Sequence, residues 1–164
     1  MTNELTIVDQ PRISLVDIRR NPQQFPRLHS YTQDTAIRMM GVCVLRAAKY
    51  FDVELSLEDV NQTACDLYTE LMDDVEGLNT YNITFEEILR AIRKAAAGQS
   101  VEFFGKVSFH FLYKAIMHYV KSEVLEANRQ MIQQAEREKG IRYAAKTALI
   151  TGSGARQLAN PNKV

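Results

Sequence analysis

A chain of 164 residues with 46% hydrophobic and 24% charged residues is long enough for one domain with its own core. No stretch approaches the roughly 20 apolar residues of a membrane-spanning helix, and the opening MTNELTIVDQPR lacks the basic patch and apolar run of a signal peptide. Cys43 and Cys65, far apart and without CxxC spacing, exclude a disulfide framework, so a reducing, cytoplasmic setting is expected.

The formal net charge of zero conceals a segregation. Residues 1–51 balance to +3, residues 52–89 carry eleven Asp/Glu and no Lys or Arg, and residues 90–164 balance to +8. Charge blocks of this size bear on partners and self-association, not on fold.

Pro11, Pro22 and Pro26 forbid a long helix in the first thirty residues. A short helix fits Ser14 to Arg20, with Ser14 as N-cap and Asn21-Pro22 as its stop. From Asp34 to Phe51, Ile37, Met40, Val44, Leu45, Ala48 and Phe51 recur at helical spacing, capped by Thr32 or Asp34. A second long helix is expected from Ser56 to Val75, with Val60, Ala64, Leu67, Leu71 and Val75 as its stripe and Gly77 just past its end. Thr84 and Glu87 form a capping box for a third, whose apolar face is Ile88, Leu89, Ile92 and Ala96. The connection to the next helix carries Phe103 and Phe104 and is expected to pack down. The fourth helix opens at Ser108, with Phe109, Leu112, Ile116, Val120 and Val124 on one face.

Beyond Leu125 the sequence is helix-forming but mostly polar, and Gly140 interrupts it at about 1 kcal/mol relative to Ala. TGSGARQLANPNKV has the composition of a flexible terminus. The fold class expected is all-α: a compact bundle of about four main helices over 32–125, an irregular arm with a short helix over 1–31, and an extended, partly helical or disordered segment over 126–164.

No chemistry-bearing constellation assembles from the sequence. His110, Lys114 and His118 share a helix face, but a zinc site wants a ligand where Lys114 stands, and a solvated basic stripe accounts for them. MDDVEG lacks the alternating oxygen ligands of a calcium loop. Cys43 and Cys65 have no nearby histidine to activate them, and Thr151–Gly154 has neither the spacing nor the strand of a phosphate loop. Neither catalysis, cofactor, metal nor small-molecule substrate is expected.

The basic residues of the second half are the feature worth pursuing. Arg90, Arg93 and Lys94 cluster on the helix opening at Thr84, Lys106 lies in the connection, and Lys114 and Lys121 share one side of the helix opening at Ser108. Arg129 continues the series into the polar tail, followed by Arg137, Lys139, Arg142 and Lys146. A groove between those two helices would track a phosphate backbone, with Tyr113, Tyr119 or Tyr143 available for stacking. Against this stands the ordinary solvation of helix faces by Lys and Arg.

NITFEEILRAIRKAAAGQ and FFGKVSFHFLYKAIMHYVKSE, with SLVDIRRNP near the start, resemble small helical proteins from prophage and mobile-element regions of gut bacteria. The resemblance spans roughly residues 14–125 and rests on hydrophobic framework. It implies a replication accessory role, similar to that of phage helicase loaders or replisome organisers. The expected function is thus a non-enzymatic accessory protein of phage or mobile-element DNA metabolism, binding DNA or a replication protein through its basic C-terminal half. The alternative is a protein–protein adaptor or homo-oligomer assembled by acidic-to-basic complementarity, without nucleic acid.

Overall fold

The computed structural model describes residues 13–158; Pro11 and the last six residues fall outside that range. Among the described residues there is no strand, only an isolated antiparallel bridge between Arg27 and Thr84. The helices are α1 (Leu15–Arg20), α2 (Gln33–Tyr50), α3 (Leu57–Asp73), α4 (Phe85–Ala96), α5 (Phe109–Tyr119) and α6 (Leu125–Leu158). Single 3-10 turns occur at Leu28–Ser30 and Thr80–Asn82, and a π-turn spans Val120–Val124. Contacts divide the chain into two units, Met1–Glu126 and Ala127–Val164.

The first unit is built on α2, which packs against α3 and α4, while α5 packs against α3 and α4. Met40, Val44, Leu67, Leu71, Ile88, Ile92, Leu112 and Ile116 are fully buried or nearly so in one core. The stretch before residue 32 joins that core through Leu28, whose N–H donates to the Ile83 carbonyl at 2.8 Å. Ile18 of α1 is also fully buried.

The helix starts follow the local chemistry. Ser14, Ser56, Thr84 and Ser108 all cap with their hydroxyls, and Thr84 and Glu87 form the complete reciprocal box. The buried faces differ from the expected stripes at Leu45 and Val75. Leu45, counted on the core stripe of α2, is 51% exposed, and Ala36, Cys43 and Ala47 are buried instead. Val75, counted on the stripe of α3, is 74% exposed, because α3 ends at Asp73 with Asp74 in the left-handed conformation.

Asp74 closes α3 by folding the chain back onto its carboxylate. Oδ1 accepts from Leu78 N, Thr80 N and Thr80 Oγ1, each at 3.0 Å, and Oδ2 accepts from Asn79 N at 2.9 Å. Desolvation pushes the Asp74 carboxyl up, but the bonds from Thr80, Asn79 and Leu78 outweigh it and hold it below the ordinary 3.8.

The connection between α4 and α5 packs through one aromatic and not the other. Phe103 stacks on Phe51 with centroids 4.2 Å apart and meets Phe111 edge-on, whereas Phe104 is 83% exposed. Ala95 rather than Ala96 is the last buried residue of α4.

In the second unit, α6 runs through Gly140 and through Thr151–Gly154, where the composition reads as a flexible terminus. From residue 132 to residue 147 every residue is exposed, Ile132, Ile141 and Tyr143 included, so α6 buries no face there.

Candidate nucleic-acid interface

Three of the seven expected contact residues come together. Arg90, Arg93 and Lys94 line an open groove of about 640 Å³ in the first unit, shared with Phe25, Tyr119 and two glutamates, Glu86 and Glu123. Helical spacing explains the meeting: Glu86, Arg90 and Arg93 fall on one side of α4, one and two turns apart.

The groove is not a bare cationic track. Arg90 Nε donates to Glu86 Oε1 at 3.2 Å, and Arg93 Nη2 donates to the same oxygen at 2.9 Å. Arg90 Nη2 also donates to the Ile13 carbonyl at 2.7 Å. Lys94 Nζ pairs with Glu123 and stands 5.9 Å over the Tyr119 ring. Three cations and two carboxylates leave the groove one positive charge in excess. A phosphate entering it would face both glutamates, and like charges about 4 Å apart repel by roughly 4 kcal/mol at a near-surface dielectric of about 20.

Lys121 is held in the same way, by Glu76 at 2.5 Å. Lys106 and Lys114 are exposed and have no ion-pair partner among the described residues, but neither lines the groove. Arg129 lies on α6, exposed, in the second unit. The expected acidic block and basic block are therefore interleaved at Glu76 and Glu86, both of which meet cations from beyond residue 89.

The tyrosines divide similarly. Tyr119 is buried, and desolvation first, then Glu123, pushes its hydroxyl up to about 12. Tyr113 stacks on Phe109 at 5.7 Å, and burial together with Glu76 and Glu70 raises its hydroxyl. Carboxylates near Tyr113 make it a poor platform for a nucleotide. Tyr143 on α6 is exposed beside Arg142.

Two charged features escaped the sequence reading. Glu87, read there only as a cap, is fully buried and gathers Arg19 Nε at 2.6 Å and Arg27 Nη1 at 3.9 Å. No local pattern announces it, because both arginines lie about sixty or more residues earlier. The other is α2, where Arg38, Arg46 and Lys49 share an exposed side with Val42 and Leu45. Their spacing was legible, but the mistaken placement of Leu45 in the core hid the face.

The remaining candidates are placed plainly. His110, Lys114 and His118 are exposed on α5. His29 Nδ1 lies 3.1 Å from the Tyr81 carbonyl, and its ring meets Tyr81 edge-on. Burial pushes the Cys43 thiol up to about 12, so it is protonated at neutral pH and no nucleophile. Among the described residues no group of three His, Cys, Asp or Glu is placed to hold a metal, and no helix is long and apolar enough to cross a membrane.

Comparison with protein-family models, with curated proteins and with solved structures returns no match.

Proposed function

We propose that this chain is a non-enzymatic accessory protein that contacts nucleic acid through one side of α6, in phage or mobile-element DNA metabolism. The supporting observation is the arrangement of Lys139, Arg142 and Lys146. Spacings of three and four residues put them on one side of the helix, with Tyr143 adjoining. All four are exposed, and none of the three cations has an ion-pair partner among the described residues. Such a row follows a phosphate backbone, and the tyrosine offers a face to an unstacked base. The α4–α5 groove takes second place because Glu86 and Glu123 already occupy its cations. The mobile-element setting draws on the resemblance of residues 14–125 alone.

Fluorescence anisotropy against single- and double-stranded DNA across a salt series tests the reading. Three phosphate contacts give a log–log salt slope of about −3 on duplex DNA. Charge reversal of Lys139, Arg142 and Lys146 together removes the binding, whereas reversal of Lys106 and Lys114 changes it little. Absence of binding at low salt, or binding indifferent to salt, overturns the reading.

A further inference from the structure

Two exposed helix faces of the first unit carry uncompensated charge of opposite sign. On α2, Arg38, Val42, Leu45, Arg46 and Lys49 fall within about a third of the circumference at 3.6 residues per turn. All five are exposed, and the three cations have no ion-pair partner among the described residues. On α3, Glu58, Asp59, Asp66 and Asp73 lie on the side away from Val60, Ala64, Leu67 and Leu71. None of these carboxylates meets a cation among the described residues; Asp59 and Asp66 bond only to Ser56 and Gln62 of their own segment.

The two helices pack directly against each other, with Gly41 close to the Val60 side chain. Yet no α2 cation reaches an α3 carboxylate within the molecule. At α4 the same chain pairs its charges closely, Glu86 and Glu87 gathering four arginines. Complementary charge left open on neighbouring helices is therefore a local feature of α2 and α3.

We propose that two copies of this chain associate with α2 of each set against α3 of the other. The complement of each face is supplied by the same sequence, so a two-fold arrangement satisfies both faces twice over. The lengths agree. Arg38 to Lys49 spans about 16 Å of helix, and Asp59 to Asp73 about 21 Å, at about 1.5 Å per residue. The difference is within the reach of a lysine side chain. Val42 and Leu45, in the middle of the cationic face, give the contact an apolar centre. This association does not depend on whether α6 contacts nucleic acid.

Sedimentation velocity of the full chain over a concentration series, at low and high salt, tests it. The expected result is a monomer–dimer equilibrium that weakens as salt screens the pairs. Arg38→Glu with Lys49→Glu, and separately Asp66→Lys with Asp73→Lys, each raise the dimer dissociation constant at least about tenfold. Arg38, Lys49 and Asp73 are exposed and Asp66 is half-buried, and mixing the two variants restores a heterodimer, which also shows that both are folded. A wild-type chain that stays monomeric at high concentration in low salt overturns the proposal. So does a dimer indifferent to both reversals, or a mixture that forms no heterodimer.

Discussion

At the start of α4 two successive carboxylates gather four arginines, whereas the outer sides of α2 and α3 hold three cations and four carboxylates without a partner of opposite sign among the described residues. Burial accounts for the difference. Glu87 has no exposed surface, so its charge is tolerable only with guanidiniums and backbone donors around it. The α2 and α3 charges are hydrated by solvent and impose no such demand. An ion pair at the first place is part of the fold. Unpaired charge at the second is available to something else.

The largest effect should come from breaking the buried cluster. Glu87→Ala removes the acceptor of Arg19 and of the Thr84 N–H at 2.8 Å, and takes the buried carboxylate away from two poorly exposed guanidiniums. Arg27 is already strained in this respect: desolvation first, then Arg19, lowers its pKa, and Nη1 has no hydrogen-bond partner. The expected loss is about 3–5 kcal/mol by urea unfolding. Glu58→Ala on α3 should change stability by no more than about 0.5 kcal/mol. A loss below about 1 kcal/mol for Glu87→Ala would show that water reaches the arginines and that the contrast between the regions is false.

A smaller loss is expected at the other end of the α3–α4 connection. Asp74→Ala deletes four hydrogen bonds to residues 78–80, at about 1–2 kcal/mol given the partial exposure of the site. Because the folded-state carboxyl is held below 3.8, its contribution is complete above that value and is lost as pH falls through the lowered one. Urea midpoints measured from neutral pH downward should therefore converge for wild type and Asp74→Asn at the acid end. Parallel curves would assign the effect to the turn itself and not to the charge.

Much of the fold was legible because its signals are local. Ser14, Ser56, Thr84 and Ser108 cap where a polar residue precedes an apolar period, and the buried residues of α3 and α5 follow that period. The failures are equally physical. Periodicity put Leu45 and Val75 on core faces, but it carries no information on where the neighbouring helices end. The ion pairs were illegible for the same reason: Lys121 and Glu76 are 45 residues apart, and only packing of α3 against α5 brings such distant segments together. Of the expected contact residues, the meeting of Arg90, Arg93 and Lys94 was visible from their spacing on one helix, and the pairing of Lys94 with Glu123, 29 residues on, was not.

Glu86 offers the finest test, since it is the residue that makes the α4 groove resemble the buried cluster rather than the open faces. It is about one-third exposed and its partner Arg93 about half, so Glu86→Gln should cost no more than about 1 kcal/mol. The substitution keeps an acceptor oxygen for Arg90 and Arg93 but raises the groove's charge excess from one to two. If pairing is what silences these cations, duplex DNA should bind the variant more tightly, with a salt slope steeper by up to about one unit for each arginine released. An unchanged slope would mean that Arg90 is held by the Ile13 carbonyl and Arg93 by the Leu89 carbonyl at 3.3 Å, independently of the glutamate's charge. The groove would then be a structural feature of the first unit, closed to phosphate by geometry as well as by charge.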